Sequence, residues 1–145
     1  MKKMVSVVVA VVSVLAVLSC KSTAKENTDD IFRKAYAKYA GHLILDGAGT
    51  YTVESGDILS HIANAQYGDG YYYPIIMLAS SDVVLDPDKI QPGMELTIPD
   101  LEKNLADAKA KDAIKGIILD CAKIEEDRGR AETATGLRDH ANQIE

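Results

Sequence analysis

Apolar and polar positions follow four different patterns along this chain, and each predicts a different kind of segment. From Met4 to Leu18 every residue is apolar except Ser6 and Ser13, a run of 15 residues. A helix that spans a bilayer needs about 20 apolar residues. With Lys2 and Lys3 before it, the run reads as the hydrophobic core of a secretory signal. The pattern then turns polar from Lys21 to Asp30, as in a tether. Helical spacing begins at Asp30, where Ile31, Ala35 and Tyr39 share one face of a helix predicted to reach Ala40. Thr28 or Asp29 is its expected cap, and Gly41 suits the position after its end that needs positive φ. His42 to Gly49 reads as an extended connection that turns at Asp46-Gly47.

The third pattern is short and heavily punctuated. Tyr51-Thr52-Val53 has the β-branched and aromatic content of a strand. Ser55-Gly56-Asp57 turns the chain, and Asp57 is placed to cap a helix over Ile58–Gln66 whose apolar face is Ile58, Leu59, Ile62 and Ala63. Tyr67-Gly68-Asp69-Gly70 ends it. A second helix over Tyr73–Ala79 carries Pro74 in its first turn, where proline is tolerated. A loop over Asp82–Ile90 follows. Gln91-Pro92-Gly93-Met94 has the proline-then-glycine centre of a type II turn, and Glu95–Ile98 is a closing strand.

The fourth pattern is long-range and helical. Asp100 caps a helix predicted from Leu101 to about Asp127, with Leu105, Ala110, Ile114, Ile117, Cys121 and Ile124 as its apolar stripe. Gly129 interrupts, and Ala134, Leu137, Ala141 and Ile144 form a second stripe. A helical hairpin folded onto the preceding segment is favoured over a partner-binding coiled coil. Ile75, Ile76, Met77 and Leu78 point the same way, because a helix that is apolar all round is buried on more than one side. One face is expected against the strands and the other against the hairpin.

Charge narrows the choice of partners. Without residues 1–19 the chain has 14 basic and 22 acidic side chains, a net charge of −8. No basic stripe offsets this, so nucleic acid is excluded as a partner. Val17-Leu18-Ser19-Cys20 resembles the lipobox of bacterial lipoproteins, in which the chain is cleaved before the cysteine and the thiol is acylated. That resemblance implies a signal peptide over residues 1–19, lipidation at Cys20 and a membrane anchor. It also leaves Cys121 without a partner in the chain, as a buried thiol. In sorting systems that retain lipoproteins through an aspartate after the cysteine, Lys21 implies the outer membrane.

The segment from Tyr51 to Pro99 resembles a LysM domain. The residues that carry the resemblance are Tyr51-Thr52-Val53 before Ser55-Gly56-Asp57, then Leu59, Ile62-Ala63 and Tyr67-Gly68, and at the far end Ile90, Pro92-Gly93, Leu96, Ile98 and Pro99. The resemblance implies an α+β fold, a single βααβ module flanked here by an N-terminal helix and a C-terminal helical hairpin. The expected divisions are a signal over 1–19, a tether and helix over 20–50, the LysM module over 51–99 and the helical extension over 100–145. It also implies binding of N-acetylglucosamine polymers, chiefly peptidoglycan, in a shallow groove. By analogy one wall holds Gly56, Asp57, Ile58 and Leu59, and the other Asp82, Val83 and Val84. Two positions depart from the family pattern: Ile58 stands where Thr is usual and Ser80 where Asn is common.

Other chemistry finds little support. Glu54 and Asp57 are close in sequence, but glycosidase carboxylates must face each other across a cleft. His42, His61 and His140 share no ligand-like spacing, and His61 falls on a polar helix face. Tyr71-Tyr72-Tyr73 is read as Tyr73 in the core with its neighbours in a loop. No nucleophilic-serine motif, zinc signature or phosphate loop is present, so no enzyme activity, cofactor or metal is expected. The chain is therefore read as a lipid-anchored, periplasm-facing protein of the bacterial cell envelope, binding peptidoglycan strands without catalysis. The alternatives are an envelope scaffold that captures a protein partner through residues 101–145, and ion or small-ligand sensing.

Overall fold

The computed structural model describes residues 27–145; the expected signal segment, Cys20 and most of the tether lie outside them. Helix α1 runs Thr28–Tyr39, and its cap is Asn27 rather than Thr28 or Asp29. The Asn27 side chain accepts from the Asp29 backbone N–H, and Asp29 and Asp30 in the first turn face the positive end of the helix dipole. Its buried face is Phe32, Ala35 and Tyr36. Ile31 and Tyr39, expected on that face, are only half-buried at its margins. Gly41 lies inside a 3₁₀ turn, Ala40–His42, and is not among the positive-φ glycines, so it does not end the helix in the expected way.

The βααβ frame forms as expected. Strand β1 (Gly49–Thr52) pairs antiparallel with β2 (Glu95–Ile98), with Tyr51 opposite Leu96. Gly56 and Gly93 turn the chain into and out of the helical part, at φ 94° and 91°, where a side chain would be strained. The Met94 N–H bonds the Gln91 carbonyl at 3.1 Å, closing the type II turn. Helix α2 spans Leu59–Tyr67 and ends at Gly68 in the left-handed conformation. Its cap position is Ile58, with no side-chain hydrogen bond, so Asp57 does not cap it. The Asp57 carboxylate instead accepts from the Glu54 N–H and the Tyr51 hydroxyl, both at 2.8 Å, and locks the preceding turn.

Helix α3 (Tyr73–Ala79) is the centre of the molecule. Ile75, Ile76, Met77 and Leu78 are all at most 2% exposed. One side packs on β2, the other on the long C-terminal helix Ala108–Asp127. Burying each such side chain stabilises by roughly 1.5–3 kcal/mol. Ser80 ends the helix; its hydroxyl accepts from the Thr97 N–H at 2.9 Å, tying α3 to β2.

The expected helix from Leu101 to Asp127 is two helices. Helix α4 spans Leu101–Ala106, and α5 spans Ala108–Asp127. Asp107 is extended between them and caps α5 through the Ala110 N–H. The break lets fully buried Asn104 bond both backbone groups of Ile44, pinning the connection before β1. Helix α6 (Ala131–Gln143) returns along α5, with Gly129 at φ 82° in the bend. The predicted stripes of both helices are buried except for half-buried Leu105. Cys121 is fully buried and unpaired, and burial pushes its thiol well above the usual range. Among the described residues no helix is long and apolar enough to cross a membrane.

Candidate functional site

A cavity of about 570 Å³ opens where four segments meet. The turn after β1 and the start of α2 contribute Asp57, Ile58, Leu59 and Ser60. The loop before α3 contributes Asp69, Gly70 and Tyr71, and α3 itself contributes Tyr73. The loop before β2 contributes Pro87, Asp88 and Ile90, and the hairpin contributes Glu125, Arg130 and Thr133. Ligand pockets of small molecules run about 300–1,000 Å³.

The apolar part of the lining is exposed in an uncommon way. Ile58 is 48% exposed and Tyr71 is 38% exposed, two large apolar side chains bordering one cavity. Close contacts through glycine fix the segment that carries Tyr71. Gly70 sits so near α2 that an added Cβ would lie 2.9 Å from the Ser60 carbonyl oxygen. Tyr71 lies over α6 where Gly136 leaves room for its ring; a methyl group there would overlap the ring and hydroxyl. Tyr72 and His140 meet edge to face at 4.3 Å. His140 Nδ1 lies 3.2 Å from Asp69 Oδ2, while its Nε2 is buried without a partner. Burial lowers the His140 pKa, and Asp69 opposes that shift.

The polar side of the cavity is an ion-pair network. Glu125, 1% exposed, pairs with Arg128 at 3.2 Å and Arg130 at 3.1 Å. Arg128 also pairs with Asp86 at 2.8 Å and Asp88 at 3.3 Å, and its guanidinium lies 5.1 Å from the Phe32 ring centre. Arg130 also pairs with Asp88. Its hydrogen bond holds the Asp88 carboxyl below the usual range. Asp86 in addition caps the 3₁₀ turn Pro87–Lys89 through the Asp88 N–H. The Asp-Pro-Asp stretch is thus where the hairpin grips the loop.

Of the residues expected to bind, Asp57, Ile58 and Leu59 line this cavity, and Gly56 forms the turn that presents them. Asp82, Val83 and Val84 do not line it. The Ser80 carbonyl accepts from the N–H groups of both Val83 and Val84, curling this stretch back on α3. Val84 is 1% exposed, and its carbonyl accepts from the Tyr36 hydroxyl at 3.0 Å. The facing wall comes from Pro87–Ile90 and the hairpin. The hairpin residues were not legible as site residues, since local sequence pattern does not say which charged positions near Gly129 face the module. Tyr73 is 6% exposed and His61 is exposed, as expected. Among the described residues no group of three or more His, Cys, Asp or Glu side chains is arranged to hold a metal ion.

Residues 51–99 match the family model of the LysM domain, and this segment is a LysM domain. The chain is 46% identical over 50 residues to the potassium binding protein Kbp of Escherichia coli, covering 34% of this chain and 34% of that protein. It is 47% identical over 53 residues to an uncharacterised protein of Deinococcus radiodurans, covering 37% of this chain and 20% of that protein. The chain therefore spans about a third or less of the length of these relatives.

Proposed function

We propose, from the LysM module at residues 51–99, that this protein binds peptidoglycan non-catalytically from a lipid anchor at Cys20 on a membrane facing the wall. The observation that supports this best is the cavity at the start of α2, inside the matched segment and bordered by exposed Ile58 and Tyr71. Apolar and aromatic side chains cover the C–H faces of sugar rings and the acetyl methyl. Hydroxyls and loop backbone groups pair with the sugar hydroxyls and the amide. One small site binds weakly, and a membrane anchor offsets this by holding the module at high local concentration. The Val17-Leu18-Ser19-Cys20 run and Lys21 support an outer-membrane address.

The test is sedimentation with purified sacculi. The intact protein is expected to pellet, and Ile58→Asp to lower the bound fraction about tenfold by placing a charge on the apolar rim. An intact protein that stays in the supernatant sinks the reading. A second reading, ion sensing, draws on the likeness to the potassium binding protein. It predicts a higher melting temperature in potassium than in sodium chloride at equal ionic strength.

A further inference from the structure

The hairpin lies outside the matched residues, yet Glu125, Arg130 and Thr133 line the same cavity as Ile58. Among the described residues, three hydroxyls there carry no hydrogen bond to a protein group: Ser60 on α2, Tyr73 on α3 and Thr133 on α6. Tyr73 is the telling one. Its ring is more than nine-tenths buried, and burial raises its pKa so that the hydroxyl stays protonated. The hydroxyl, which is not among the buried polar atoms without a partner, opens to the cavity as a donor. A hydroxyl at the end of a buried ring is fixed in direction, so a ligand entering the cavity meets a donor already in place.

The charges then select among ligands. Asp57, Asp69, Asp88 and Glu125 line the cavity; Arg128 and Arg130 pair with Asp88 and Glu125, which leaves Asp57 and Asp69 as an excess of negative charge. The Arg130 donors are already engaged by Asp88 and Glu125. A carboxylate entering this cavity meets like charge and finds no free cation, whereas an uncharged sugar meets hydroxyls and apolar faces.

We propose that the hairpin is part of the glycan site: Thr133 and Arg130 close the groove of the LysM module into a cavity that accepts uncharged N-acetylhexosamine units and rejects acidic sugars. This rests on the glycan reading above. The experiment titrates the full mature chain with chitotetraose and, separately, with a hyaluronan tetrasaccharide, in which N-acetylglucosamine alternates with a uronic acid. Affinity is read by calorimetry and backbone amide shifts by NMR. Chitotetraose is expected to shift the amides of Arg130 to Thr133 together with those of Ile58 and Leu59. Hyaluronan is expected to bind at least about tenfold more weakly. Thr133→Trp, on a half-buried helix position, is expected to fill the cavity and weaken chitotetraose about tenfold at unchanged melting temperature.

If the intact chain binds neither chitotetraose nor sacculi, the glycan reading itself fails. If chitotetraose binds and Ile58→Asp abolishes it, while Thr133→Trp and the hairpin amides are unaffected, the glycan reading stands and the hairpin wall is overturned. If hyaluronan binds as tightly as chitotetraose, the selection by charge is overturned. The amide shifts need no variant, so a poorly folded Thr133→Trp does not remove the test.

Discussion

His140 shows what one buried side chain asks of its surroundings. With Nδ1–H donating to Asp69, neutral imidazole leaves Nε2 as a bare acceptor, which costs less than a bare donor. Protonation would place an N–H there with nothing to receive it. The fold therefore prefers neutral His140, and its pKa lies below the ordinary value of about 6.5. As the pH falls below that value the unfolded chain takes a proton that the fold resists, so stability drops. The loss levels off once the pH passes below the folded value. His140→Gln can still donate to Asp69 but does not titrate. Urea denaturation at about pH 7.5 and pH 5.5 is expected to show a smaller fall in stability for H140Q than for the unmodified protein; equal falls would refute the assignment. Asn104 and Ser80, also buried, are bonded. Asn104 makes three hydrogen bonds to backbone, and Ser80 joins α3 to β2. The family-variant serine at position 80 thus has its own task at the end of α3.

At the scale of elements, α3 decides how the parts depend on one another. It has apolar residues on every side, and no isolated two-stranded module can cover them all. In this protein β2 covers one side and α5 covers the other. A chain ending at Pro99 is expected to lose hydrogen-exchange protection in Ile76–Ala79, because those amides would sit in an element with one apolar side in water. Protection equal to that of the full chain would show that the hairpin is dispensable to α3. The expected single helix from Leu101 to Asp127 breaks at Asp107 for a local reason as well. An aspartate that caps α5 competes with continuing α4, and the bend aims Asn104 at Ile44.

At the scale of the whole molecule, Arg128 joins three regions. Its guanidinium meets Asp86 and Asp88 of the module, Glu125 of the hairpin and the ring of Phe32 in the N-terminal helix. Such a network adds little over an apolar substitute for all its members, but removing one partner strands the others. Arg128→Met leaves nearly buried Asp86 with only distant Lys89, at 4.0 Å, and leaves Glu125 with one arginine. A loss of about 3 kcal/mol in urea denaturation is expected. A loss below about 1 kcal/mol would place these ions among ordinary surface pairs.

Local sequence determined the frame. Turn residues at 55–57 and 91–94, the strand content on either side of them, and the helical spacing of Ala110 to Ile144 act within a few residues. Their conformational preferences therefore survive in the fold, and the βααβ order and the hairpin were legible from them. Caps were less legible, because Asn27, Thr28 and Asp29 all suit one position and the choice depends on where Phe32 must point. The candidate site was legible on one wall only. Ile58 and Leu59 follow directly from the turn at Gly56. The opposite wall depends on which of two loop stretches turns inward, and Tyr36, 48 residues away along the chain, holds Val84 in the core through its hydroxyl. Glu125, Arg130 and Thr133 reach the cavity only because α5 lies against α3. That contact is non-directional burial of apolar area, so sequence patterning announced the two partners but not the register that turns these polar side chains toward the cavity.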